Sequence, residues 1–121
     1  MLELSSLNKT WILDLDGTLL KHNGYLQGGD VLLSGVKEFF ASLPKGDKVI
    51  LLTARKKEHL DSLSLFLKQN GIFYDYLLCD MPVGERILVN DQKPSGLNTA
   101  FAINKKRDEA LNIAYRINKE L

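Results

Sequence analysis

The sequence predicts an α/β domain in which a mostly parallel sheet is covered by helices on both faces, and two observations carry that prediction. Apolar runs of strand length, Trp11-Ile12-Leu13, Val49-Ile50-Leu51-Leu52 and Ile87-Leu88-Val89, are each bounded by turn-forming or polar residues. Between the first two, and again after the second, apolar residues recur at helical spacing. Such alternation gives a three-layer arrangement with ligands bound beyond the carboxyl ends of the strands.

The elements follow in order. Ser34 to Leu43 carries apolar residues at helical spacing and is ended by Pro44-Lys45-Gly46-Asp47. Lys57 to Asn70 places Leu60, Leu63, Phe66 and Leu67 on one side of a second helix, with Asn70-Gly71 as its stop. A short strand is expected at Tyr76 to Cys79, and too few residues separate it from Ile87 for a crossover helix, so an extended loop must join them. Thr99 to Asn104 reads as a last short strand in preference to a helix start. Glu109 to Leu121 has helical periodicity through Leu111, Ile113, Ala114, Ile117 and Leu121.

A chain of 121 residues suits one domain over residues 1–121 with one active site. Its 45% apolar and 26% charged residues and formal net charge of +1 fit an ordinary globular protein and exclude a disordered chain or a nucleic-acid-wrapping one. The basic clusters Arg55-Lys56-Lys57 and Lys105-Lys106-Arg107 read as solvated surface in preference to a polyanion groove, the second more firmly than the first, which follows a motif. Cys79, the single cysteine, permits no intramolecular disulfide and is expected to be a buried thiol in a reducing compartment. Neither a leader-like N-terminus nor an apolar run of membrane-spanning length is seen, so the expected location is cytoplasmic, with no membrane partner.

The chemistry concentrates in Leu13-Asp14-Leu15-Asp16-Gly17-Thr18-Leu19. Residues two apart in a strand point the same way, so Asp14 and Asp16 bring two carboxylates together at the strand's end, and Gly17 permits a sharp departure. Two like charges that close favour a cation between them, and oxygen-only ligands suit magnesium. The alternative for the pair taken alone, an Asp16-Gly17 turn that merely reverses the chain, is the weaker reading. The second strand ends in Thr53-Ala54-Arg55, a hydroxyl and a guanidinium fitted to phosphoryl oxygens, and the third ends in Asn90-Asp91. Three strands ending in such groups at one edge favour a phosphate-and-metal site over three independent turns.

This set resembles the haloacid dehalogenase superfamily of phosphotransferases, whose first motif reads Asp-x-Asp-Gly-Thr, and the resemblance extends over nearly the whole chain. It implies a Rossmann-like fold, with Asp14 as nucleophile, Asp16 as general acid and base, and Thr53 as the hydroxyl that holds the phosphoryl group. It further implies that Asp91, Asp14 and the backbone carbonyl of Asp16 bind Mg2+, with Ala54, Arg55 and Asn90 lining the substrate site. Thr-Ala-Arg and Asn-Asp-x-Lys-Pro look most like the compact bacterial-type members.

Two departures stand out. The superfamily's phosphate-holding lysine, often in a Lys-Pro pair, is replaced by Met81-Pro82. Of the cations able to substitute, Arg86 would lie about 16 Å back along the expected strand from Asp91, at the wrong end. Lys93 and Arg55 lie at the correct edge, and Lys93 is the preferred catalytic cation with Arg55 second. Secondly, the residues between Thr18 and Thr53 already hold a helix and a strand, leaving no room for an inserted cap domain. Lys21 to Leu33, with Gly24, Gly28 and Gly29, is instead a short flap on which His22 and Tyr25 are expected to face solvent. His59 is expected on a solvated helix surface.

The expected activity is Mg2+-dependent hydrolysis of a phosphomonoester through a phospho-aspartyl intermediate, on a small metabolite such as a sugar or polyol phosphate, with no nucleic-acid partner. An uncapped site either stays open or is covered by a neighbouring subunit in a homo-oligomer. The alternatives are a phosphate-binding or signalling module of receiver type and a catalytically weakened member of the superfamily.

Overall fold

The computed structural model describes residues 1–121 and contains five strands and two α-helices. They run β1 (Leu2–Leu4), β2 (Thr10–Asp14), α1 (Val36–Ser42), β3 (Lys48–Leu52), α2 (Leu60–Gln69), β4 (Tyr76–Leu78) and β5 (Tyr115–Ile117). Strands β2, β3 and β4 form a parallel sheet in that order. Its register aligns Asp14 with Leu52 and Leu52 with Leu78, so the three carboxyl ends stand level. The protein is therefore an α/β fold with parallel sheets, as the alternating pattern predicts.

The core is read directly from side-chain alternation. Leu13 on β2 and Val49 and Leu51 on β3 point to one side, where they meet Val36, Phe39 and Phe40 of α1 and Leu63 and Leu67 of α2 in a single buried cluster. Both helices share that side for a topological reason. Right-handed crossovers between neighbouring parallel strands in the order β2-β3-β4 put both connections on the same face. The opposite face carries Ile12, which is exposed.

Glycine sets the ends of both helices. Gly35 enters α1 at φ 87°, where a Cβ would strike the Leu111 carbonyl, so the position needs both left-handed backbone and the absence of a side chain. Gly71, at φ 71°, ends α2 and lets the Ile72 amide donate to the Leu67 carbonyl at 2.9 Å. A 3-10 turn, Lys57–His59, leads into α2 within the segment expected to be helical.

Three expected elements of secondary structure are corrected. Ile87-Leu88-Val89 forms no strand, and Ile87 and Val89 are 82% and 90% exposed. Thr99 to Asn104 forms none either. Glu109 to Leu121 is not helical: Leu111 instead enters the core beside the start of α1, its amide donating to the Ser34 carbonyl at 2.8 Å, and β5 pairs parallel with β1. Apolar spacing alone cannot register a pairing between segments more than a hundred residues apart. Trp11 bridges the two sheets, its ring 5.2 Å from Phe39 and 5.6 Å from Tyr115, while its Nε1 donates to Asp47. Cys79 is half-buried rather than enclosed. No helix is long and apolar enough to cross a membrane.

Candidate active site

The level strand ends bring the first two motifs together. Beyond β2 the Leu15 amide donates to the Leu52 carbonyl at 3.1 Å, and beyond β3 the Thr53 amide donates to the Leu78 carbonyl at 2.9 Å, so the ladder continues one residue into the site. Leu15 is fully buried, and Asp14 and Asp16 on either side of it are partly exposed. Gly17 then turns the chain at φ 86°, and the Thr18, Leu19 and Leu20 amides all point back to the Leu15 carbonyl. The strand thus ends at Asp14 and the chain turns at Gly17, as expected for the backbone of Asp-x-Asp-Gly.

Each acid has its own hydroxyl and its own guanidinium. Asp14 accepts from Thr18 Oγ1 at 3.0 Å and from Arg86 Nη1 at 2.8 Å. Asp16 accepts from Thr53 Oγ1 at 2.8 Å, and its other oxygen takes Arg55 Nε at 3.0 Å and Nη2 at 2.7 Å. Thr53 is wholly buried, and its hydroxyl also accepts the Arg55 amide at 3.1 Å. Ala54 sits half-buried between them.

Arg55 is 4% exposed and pairs with a second acid, Asp30, at 2.6 and 3.0 Å. Its guanidinium carbon lies 3.9 Å from the centre of the Tyr25 ring. Burial acts to lower the Arg55 pKa, but the hydrogen bonds and charges of Asp30 and Asp16 outweigh it and leave the net shift upward. The guanidinium is thus charged at any working pH. Tyr25 and Asp30 both belong to the flap, which is closed at its base by the Lys21 amide on the Val31 carbonyl and the Leu33 amide on the Leu19 carbonyl, both 2.9 Å. The flap is pinned to the site rather than turned to solvent at Tyr25, whose ring also meets that of the half-buried His59 at 5.0 Å.

The third motif does not join this cluster. With no strand over 87–89, Asn90 and Asp91 are exposed in irregular chain, where Asn90 Nδ2 donates to Thr99 and the Asp91 carbonyl accepts from the Thr99 hydroxyl. Lys93 is exposed and makes no side-chain hydrogen bond or ion pair; only its backbone is engaged, with Leu97 and Gly96. The cation facing Asp14 is Arg86. Its placement at the wrong end of the site assumed a strand that does not form, and the irregular chain brings it back.

The ligands expected for magnesium, Asp14, Asp91 and the Asp16 carbonyl, are not brought together, because Asp91 stays in the exposed irregular chain. No three acidic, histidine or cysteine side chains are grouped to hold an ion, and both oxygens of Asp14 and of Asp16 are already hydrogen-bonded to protein groups. These residues as placed do not fit a resident magnesium ion.

Sequence reasoning missed two further participants. Asp30 lies in a glycine-rich loop without periodicity, and the only available signal was an acid left over in the flap beside an arginine needing a partner. Lys105, assigned to solvated surface, directs Nζ to the Gly17 carbonyl at 3.1 Å, and the Asp108 amide reaches the same oxygen at 2.9 Å. The Lys105-Lys106-Arg107 cluster therefore packs on the first motif's turn.

The chain matches no protein-family model, no curated protein and no solved structure. The resemblance drawn from Asp14-Leu15-Asp16-Gly17-Thr18 rests on the sequence motifs alone.

Proposed function

We propose that the protein is a phosphomonoester hydrolase of haloacid dehalogenase type that transfers the phosphoryl group to Asp14. The observation that carries this reading is the pair of carboxylates at the end of β2, each hydrogen-bonded to a separate arginine, with the buried Thr53 hydroxyl at the end of the neighbouring strand.

In the proposed reaction an Asp14 carboxylate oxygen forms a bond to phosphorus as the ester P–O bond breaks. Asp16, in its acid form, gives its proton to the departing alkoxide oxygen. Water then attacks the phosphorus of the acyl phosphate, Asp16 takes a proton from it, and inorganic phosphate leaves with Asp14 restored. Arg86 supplies the positive group for the oxygens on which charge builds up, while Arg55 and the Thr53 hydroxyl, both hydrogen-bonded to Asp16, hold that acid in place. The proposed substrate class is a small phosphorylated metabolite such as a sugar or polyol phosphate, because the chain carries no basic groove suited to nucleic acid. The resemblance also calls for a third layer, which would cover the Ile12 face of the sheet.

The test is release of inorganic phosphate from an aryl phosphate, with and without added Mg2+. Turnover abolished in Asp14→Asn supports the reading, and turnover unchanged in that variant refutes it. A Mg2+ requirement would mean that Asp91, or another acid, moves to the site when the ion binds.

A second reading is a phosphate-accepting protein without turnover. The observation favouring it is the separation of Asp91 from the two catalytic acids. Stoichiometric labelling by acetyl phosphate with no release of phosphate would select it.

A further inference from the structure

One guanidinium joins two acids from different parts of the chain. Arg55 Nε and Nη2 reach Asp16, Nη1 and Nη2 reach Asp30, and the Tyr25 ring covers the guanidinium face at 3.9 Å. The Asp30 side chain is 8% exposed and that of Arg55 is 3% exposed, so water is poorly placed to replace either partner. Nη2 is shared between the two carboxylates, so loss of either acid changes the position of the other. Interactions linked through one group are reciprocal: whatever Asp30 does for Asp16, Asp16 does for the flap.

We propose that Asp30 is a positioning residue which, through Arg55, makes closure of the flap and alignment of Asp16 a single event. The inference rests on the reading of Asp16 as the general acid and base. Asp30 touches no reacting group itself. The base of the flap is held independently by the Lys21 to Val31 and Leu33 to Leu19 backbone bonds, so what Asp30 controls is the outer stretch from Asn23 to Asp30. Within it the Gly24, Leu26, Gln27 and Gly29 amides are all hydrogen-bonded and report on opening.

The experiment combines amide hydrogen exchange with steady-state hydrolysis of an aryl phosphate, in the full-length wild type, Asp30→Asn, Asp30→Glu and Asp16→Asn. Asp30→Asn is nearly isosteric and spares the core. Its flap amides should exchange about tenfold faster or more, matching the loss of a charge-assisted hydrogen bond, and Asp16→Asn should loosen the same amides. Turnover of Asp30→Asn should fall by a similar factor, in kcat more than in KM, and Asp30→Glu should recover part of both effects. A change in flap exchange without a change in kcat, or the reverse, would overturn the coupling. If the wild type hydrolyses no phosphomonoester, the hydrolase reading falls and exchange alone decides: loosening in both Asp30→Asn and Asp16→Asn upholds the coupling, and loosening in only one or in neither refutes it.

Discussion

Arg86 Nη1 lies 2.8 Å from Asp14 Oδ1, joining the end of β2 to an irregular segment 72 positions later. The pair is more than a third exposed on both sides, so it contributes at most about 1 kcal/mol to stability. Its importance is positional: it aims a delocalised cation at the proposed nucleophile. Arg86→Ala should therefore lower kcat by about a hundredfold, the loss typical of one preorganised charge-stabilising donor, while thermal unfolding scarcely moves. Arg86→Lys should fall between the two, because a lysine cannot hold a planar fork. Lys93→Ala should leave kcat nearly unchanged. Steady-state kinetics and melting curves on the three variants check this set.

Thr53 is the buried hinge of the second motif. Its hydroxyl gives a hydrogen bond to Asp16 and accepts one from the Arg55 amide. Thr53→Val keeps the shape but strips both, and should cost about 1–3 kcal/mol because a donor and an acceptor are left unsatisfied away from water. Thr53→Ser should recover most of it. Urea unfolding of the two variants distinguishes a hydrogen-bonding role from a packing one, which would make serine the worse substitution.

Gly35 tests the join between the C-terminal segment and the core. At φ 87° and against the Leu111 backbone, alanine is disfavoured by both conformation and contact. Gly35→Ala should destabilise by more than about 1 kcal/mol, which for a domain of this size is a fall in Tm of several degrees. An unchanged melting temperature would show that Leu111 is not seated beside α1.

Acid should loosen β5 ahead of the main sheet. The Asn118 amide side chain and Arg116 hold the Glu3 carboxylate below the usual carboxylate range. A depressed folded pKa contributes stability above the unfolded value and loses it as pH falls through the lower folded value. The site is solvent-exposed, so the effect is small and weakened by salt. The protection factor of the Asn118 amide, bonded to the Leu4 carbonyl at 2.7 Å, should fall in acid more than those of β3. Glu3→Gln should remove that pH dependence.

What could be read from the sequence follows the range of the forces involved. Strands β2 and β3 and both helices are marked by local periodicity, and the first motif's geometry follows from a strand ending at Asp14 and a glycine at 17. Ile87-Leu88-Val89 has equally good strand composition, yet composition does not supply a partner strand, and here none pairs with it. The Arg86 assignment failed with it, since a distance along a strand is meaningless where the chain is irregular. β1 and β5 escaped notice because each is three residues long and exists only through the other. Asp30 was invisible for a similar reason: its role depends on Arg55, which is 25 residues away.

Phosphoryl transfer to Asp14 can be observed directly. Acid-quenched protein, trapped during turnover of an aryl phosphate or after labelling with acetyl phosphate, can be digested and its modified peptide sequenced by mass spectrometry. The account predicts one phosphoryl group on Asp14, labile to hydroxylamine as an acyl phosphate is, and absent from Asp14→Asn. A phosphoryl group on another residue, or turnover that persists in Asp14→Asn, would contradict it.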